Sequence, residues 1–227
     1  MSVPAAAERG FHLYLDSADL AELKTCLPHP AVHGVTPNPT LLKRAGVTRN
    51  ALPALVEHLL KLGARQVQAQ VHAADVDGML ADAHGLLALA GPGQMVVKIP
   101  ATRQGLHAGA QLSAEGVPVT YTAVYAAEQA HFAALLGAAY AAPYLGRLED
   151  AGIDGLALIA QMQALIEQSC AATRLLVASV RSREAYLALL RLGVGSITIP
   201  PRLFAELLDH PATLEAEGGF LADAAGL

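Results

Sequence analysis

Eight times along its length this chain switches between a strand-like and a helix-like hydrophobic period, and that alternation is the strongest constraint on its fold. Short apolar runs that read as strands cover residues 11–15, 32–36, 66–71, 95–99, 117–122, 139–144, 175–179 and 196–199. Amphipathic stretches lie between them. The clearest places Ile153, Leu156, Ile159, Met162, Leu165 and Ile166 on one helical stripe. Gly63 and Gly193, each after a leucine, mark helix-to-strand junctions. Eight strand–helix units in 227 residues, roughly 28 residues each, form the pattern of an α/β protein of (βα)8, or TIM-barrel, type. The reading is a single barrel domain over 11–227, with an N-terminal extension over 1–10 and an extra C-terminal helix. A doubly wound sheet has no need of eight units and usually carries a glycine-rich phosphate loop, whereas neither GxGxxG nor GxxxxGK[ST] occurs.

Composition narrows the function classes. Hydrophobic residues make up 53% and charged residues 15%, so polar cover is thin and part of the outer surface is expected to be buried between subunits. A net charge of −5 without a basic cluster argues against a nucleic-acid partner. Residues 130–146 contain no Lys, Arg, Asp or Glu, but Gly137 and Pro143 divide them into a helix end and a strand, so no membrane span is expected. Residues 1–9 lack the apolar centre of a signal peptide, and Cys26 and Cys170 form no CxxC pair. Two buried thiols in a reducing cytoplasm is the expectation. Of nine histidines, His29 and His33 sit either side of Pro30 and the others lack ligand spacing, so no metal site is expected.

One residue breaks the apolar pattern. Only four lysines occur; three lie in polar helical stretches, and Lys98 lies inside Met95-Val96-Val97-Lys98-Ile99-Pro100. An ammonium in a dry strand is costly unless paired, and desolvation lowers its pKa toward that of a nucleophilic amine. An imine-forming lysine must be neutral near pH 7–8, a drop of roughly 2.5 units from ~10.4, or about 3.4 kcal/mol. The bland alternative is a strand-end lysine that pairs with an acid or snorkels to solvent. In a (βα)8 barrel, reactive groups gather at the C-terminal strand ends. Here those ends carry Asp16, then Thr36 and Asn38, Gln70, Lys98, Thr122, Tyr144 and Arg147, and Ser179 and Arg181. Each also has a structural reading. Asp16 could cap the helix opened by Ser17-Ala18-Asp19, Arg147 could pair with Glu149 or Asp150, Gln70 could be a satisfied core amide, and Tyr144 could fill the barrel mouth.

The segments Leu13-Tyr14-Leu15-Asp16-Ser17-Ala18-Asp19, Gly34-Val35-Thr36-Pro37-Asn38-Pro39-Thr40, Val96-Val97-Lys98-Ile99-Pro100, Ala142-Pro143-Tyr144-Leu145-Gly146-Arg147 and Ala178-Ser179-Val180-Arg181 resemble the small transaldolase family, which includes the fructose-6-phosphate aldolases. The motifs keep family order from residue 11 to about residue 223. The resemblance implies a class I mechanism without metal or cofactor. Lys98 would condense with the C2 carbonyl of a ketose, and Asp16 would take the C4 hydroxyl proton. Asn38 and Thr36 would hold the donor beside Ala142. Arg147, Ser179 and Arg181 would hold a phosphate. Gln70, Tyr144 and Ala142 look like the aldolase branch, since transaldolases carry glutamate, phenylalanine and usually serine there. In that branch Tyr144 offers a proton beside a water held by Gln70 and Thr122. The implied activity is cleavage or formation of fructose 6-phosphate from dihydroxyacetone and glyceraldehyde 3-phosphate. Transaldolase transfer of the dihydroxyacetone unit is the alternative, and a non-catalytic sugar-phosphate-binding barrel the third reading. The resemblance also implies a homo-oligomer, a decamer of two stacked pentamers, and the apolar Phe220-Leu221 end fits a subunit contact. Departures include Pro37, Val180 and Arg181. Gln68 and Tyr121 also depart, and are expected to line the pocket.

Overall fold

Each expected strand is present and pairs in parallel with its neighbours, and the last returns to the first, His12 opposite Ser196, to close the barrel. The computed structural model describes residues 10–226 except Cys170, so the N-terminal extension and the second thiol fall almost wholly outside the described residues. The strands are β1 (His12–Leu15), β2 (Val32–Val35), β3 (Gln66–Gln70), β4 (Met95–Pro100), β5 (Val119–Val124), β6 (Tyr140–Pro143), β7 (Arg174–Val177) and β8 (Ser196–Ile199). The helices are α1 (Leu20–Cys26), α2 (Pro39–Arg44), α3 (Leu52–Lys61), α4 (Val76–Leu87), α5 (Arg103–Ala114), α6 (Ala127–Leu135), α7 (Leu145–Asp150), α8 (Gly155–Gln168), α9 (Arg183–Arg191), α10 (Pro201–Leu208) and α11 (Pro211–Ala224). Side-chain caps start several of them where the sequence turns from strand to helix. Asp19 accepts from the N–H groups of Ala21 and Glu22, Asn38 from that of Leu41, and Thr102 from that of Gly105. In α8 the buried stripe is Ile159, Met162 and Ile166, whereas Ile153 precedes the helix and is exposed.

Strand alternation creates two cores of different character. Outward-facing residues such as Leu15, Val35, Val67, Val97, Ile99 and Ile197 join Leu23, Leu59, Leu112, Ile159 and Leu189 of the helices in one large apolar layer. Inside the barrel the apolar cluster is only Tyr14, Val96, Tyr140, Ala142 and Leu176. The rest of the interior is buried and polar: Thr36, Gln68, Lys98, Thr120, Thr122, Ser196 and Thr198. Several of these groups satisfy one another, with Thr36 and Thr198 hydroxyls 2.7 Å apart and Thr120 donating to Gln68 Oε1 at 2.8 Å. At the N-terminal end, Tyr14 and Tyr140 share a hydrogen bond of 2.8 Å, and His12 Nδ1 meets the Tyr140 hydroxyl at 2.7 Å.

The two departures expected at the pocket do not reach it. Tyr121 faces outward into the helical layer, where its hydroxyl donates to the Leu106 carbonyl at 3.1 Å. Gly109 of α5 makes room for it, because a Cβ there would lie 2.3 Å from the phenol oxygen. Gln68 faces inward but is fully buried beneath the mouth, against Thr120. Both are packing substitutions. At the other end of the chain, α11 is exposed along its whole length, with Phe220 72% and Leu221 66% accessible. Among the described residues no helix is long and apolar enough to cross a membrane.

Candidate active site

The C-terminal ends of the strands surround a cavity of about 250 Å³. It is lined by seven of the residues singled out in the sequence: Asp16, Asn38, Lys98, Tyr144, Arg147, Ser179 and Arg181. Thr40, Leu41, Arg44 and Ala178 line it too and were not anticipated. Two neighbouring cavities of about 320 and 260 Å³ lie beyond α2, but they hold no buried amine. Gln70 pairs in register with Lys98, yet it lines the second of these with Arg49, His72 and Asp82. Thr122, Thr36 and Ala142 lie behind the Lys98 cavity as supports. Thr122 bonds to Tyr144, Thr36 offers its carbonyl to Lys98 and its hydroxyl to Thr198, and Ala142 belongs to the inner apolar cluster.

Lys98 is 5% exposed, and its Nζ donates to the Thr36 carbonyl at 3.3 Å, a long bond that leaves the amine mostly unsolvated. Burial is the main influence and lowers its pKa to about 8, while the Asp16 charge works the other way. Asp16 is held above the ordinary carboxylate range by its own burial, which outweighs the attraction of Lys98 and Arg147. Burial thus works against the charged form of both groups, and their mutual attraction opposes it on each. Asp19, not Asp16, caps α1, which removes the structural alternative for Asp16. Asn38 spends its side-chain oxygen on the Leu41 N–H and keeps its amide N–H groups for the cavity.

The Tyr144 hydroxyl lies 2.7 Å from that of Thr122 and is raised further from ionisation, mainly by burial, so it stays protonated at neutral pH. Arg147 lies over its ring, 4.7 Å from the centroid, and donates to the Tyr125 hydroxyl at 3.4 Å. It does not pair with Glu149 or Asp150. Arg181 takes Asp150 instead, through two hydrogen bonds of 2.7 and 2.6 Å. Gly146 permits this approach, since a Cβ there would stand 2.6 Å from Arg181 Nε and 2.7 Å from the Ser179 carbonyl. Ser179 itself has φ +59°, a left-handed conformation uncommon for serine and of the kind found at binding sites. The histidines serve elsewhere: His33 stacks on His12 with ring centroids 3.8 Å apart, and His29 meets Phe204 edge-on. No three potential metal ligands converge among the described residues.

A family profile described as transaldolase/fructose-6-phosphate aldolase matches residues 13–225. The chain belongs to that family. A protein of Phenylobacterium zucineum named probable transaldolase is 39% identical over 215 residues, covering 93% of this chain and 95% of its own. Proteins with the same name from Desulfotalea psychrophila and a strain of Thermus thermophilus are 34% and 35% identical over 210 and 217 residues, covering 92% and 93% of this chain and 96% of their own. The family carries Schiff-base aldolase and transaldolase chemistry, with which a buried lysine and a raised carboxyl group agree.

The electrostatics make a prediction. Since Asp16 raises the Lys98 pKa, Asp16→Asn should move it below about 8. Methyl NMR of reductively methylated protein reads both values. A Lys98 signal titrating near ~10.4, the ordinary lysine value, or rising in the variant, would contradict the coupling.

Proposed function

We propose that this protein is a Schiff-base aldolase that cleaves or forms fructose 6-phosphate through a covalent imine at Lys98. Neutral Lys98 adds to the C2 carbonyl, and the carbinolamine takes up one proton from solvent as water leaves, giving a protonated imine that serves as an electron sink. Asp16 takes the C4 hydroxyl proton as the C3–C4 bond breaks. The electron pair then moves into the enamine, and glyceraldehyde 3-phosphate departs. Asn38 holds donor hydroxyls, and Arg147 with Ser179 receives the phosphate. The enamine next needs a proton at C3 before hydrolysis can free dihydroxyacetone and the lysine.

The observation that carries this reading is the protonated Tyr144 phenol in the Lys98 cavity, fixed by Thr122 at 2.7 Å. It supplies that proton. A second reading, transfer of the dihydroxyacetone unit to an aldose phosphate, is supported by the name probable transaldolase carried by the relatives. Gln70 would bear on the choice by holding a catalytic water with Thr122, for which its side chain must turn from the neighbouring cavity it lines toward Lys98, its partner in register. Buried, unpaired Cys26 supports a cytoplasmic setting.

Tyr144→Phe separates the two readings because it keeps the ring and removes only the hydroxyl. Assayed by glyceraldehyde 3-phosphate release from fructose 6-phosphate alone, it should lose roughly 10²–10⁴-fold in rate, while transfer to erythrose 4-phosphate persists or rises. Wild-type turnover only with an acceptor favours the transaldolase reading. An unaltered acceptor-free rate in Tyr144→Phe makes the tyrosine a packing residue.

The assembly is a homo-oligomer, a decamer of two stacked pentamers. The support is α11, a 14-residue helix with Leu214, Phe220 and Leu221 uncovered, which needs an apolar partner face to be stable in water. Light scattering at micromolar concentration should give a mass of about ten chains. A monomer contradicts this.

A further inference from the structure

Three guanidinium groups line the Lys98 cavity, those of Arg44, Arg147 and Arg181, and they are not equivalent. Arg181 has both of its forked nitrogens on the Asp150 carboxylate, the geometry an anionic substrate group would otherwise use. Both partners are exposed, so the pair can be broken, but an incoming anion must first displace a carboxylate. Arg147 is committed to Tyr125 and the Tyr144 ring and keeps only part of its donor set. Arg44 is the exception. It is exposed, and among the described residues it has neither a hydrogen bond nor an ion pair.

Its position follows from helical spacing. α2 presents Thr40, Leu41 and Arg44 to the Lys98 cavity, three positions at spacings of three and four, and turns Pro39, Leu42 and Lys43 to the cavity on its other side. Asn38, the donor-binding residue of the proposed reaction, caps the start of the same helix. Arg44 is six residues on, roughly 9 Å further along the axis at ~1.5 Å per residue. One element thus lines the cavity with an amide at its start and, roughly 9 Å further along the axis, with a free guanidinium.

We propose that Arg44 is a specificity-determining residue, which together with Arg147 binds the anionic end of the substrate, while Asp150 attenuates the contribution of Arg181. The inference rests on the Schiff-base reading and deepens it. It assigns the cavity to aldehydes and ketoses that bear a phosphate or carboxylate distal to the reacting carbon.

The test is the ratio of kcat/KM for glyceraldehyde 3-phosphate to that for unphosphorylated glyceraldehyde, with dihydroxyacetone as donor. Taking both rates on one preparation cancels any loss of folded enzyme. Arg44→Met should lower the ratio about 5- to 30-fold, chiefly through KM, with Arg44→Lys recovering part of it. Asp150→Asn should raise the ratio about 2- to 10-fold by releasing Arg181. A ratio within about twofold of wild type in Arg44→Met overturns the proposal. So does a lowered ratio in Asp150→Asn, which would mean that Asp150 holds Arg181 in place for the substrate. Calorimetric titration with inorganic phosphate reads the same signs in a variant too slow to assay, as weaker binding in Arg44→Met and tighter binding in Asp150→Asn, and unchanged affinities overturn it as well. Failure of the wild-type enzyme to turn over either aldehyde is a different result, and removes the Schiff-base reading itself.

Discussion

Everything at the mouth of this barrel is arranged around one desolvated amine. Lys98 occupies an inward position of β4, where alternation would otherwise place a core residue, and among the described residues its one hydrogen bond goes to the Thr36 carbonyl. Such sparse solvation destabilises the buried ammonium and lowers the Lys98 pKa to about 8, which enlarges the share of neutral amine near neutral pH. Asp16 limits the effect by favouring the charged form, and Lys98 in turn limits how far burial raises Asp16. Burial thus draws the two ionisations toward each other, and the attraction between the charges holds them apart.

The interior of the barrel shows how the protein tolerates this arrangement. A dry, wholly aliphatic interior would depress the lysine pKa further and leave its donors unmet. Here the layer around Lys98 is threonine-rich, and hydroxyl pairs such as Thr36–Thr198 and Thr122–Tyr144 satisfy each other without adding charge. Most of the apolar burial that stabilises the fold lies in the outer layer between strands and helices. That separation leaves the inner layer free for chemistry. Backbone strain is found at the same end: Ala123 and Ser179 are left-handed, and Gly146 is obligatory beneath Arg181.

Much of the fold could be read from the sequence because both periodicities were strong: strands buried on two faces and helices with apolar stripes. Strand ends moved by a few residues, as at β5, which begins at Val119 instead of residue 117. Lys98 was legible because a charge in an apolar run contradicts its surroundings. Arg44 was not, since an arginine closing a short polar helix reads like any solvated side chain until the fold shows which face it occupies. The pairing of Arg181 with Asp150 joins residues 31 apart, and no local pattern announces it. Tyr121 was misplaced for a simpler reason. It alternates with Thr120 and Thr122, both inward, so the period of two already sent it outward, and the resemblance overrode that count.

The most direct measurement is borohydride trapping with dihydroxyacetone, followed by peptide mass spectrometry across a pH series. If burial makes Lys98 the nucleophile, the reduced three-carbon adduct appears on the peptide containing Lys98, its rate rises with pH through about 8, and Lys98→Met abolishes it. Labelling at Lys24, Lys43 or Lys61 instead, or full trapping in Lys98→Met, would contradict the central role of this residue.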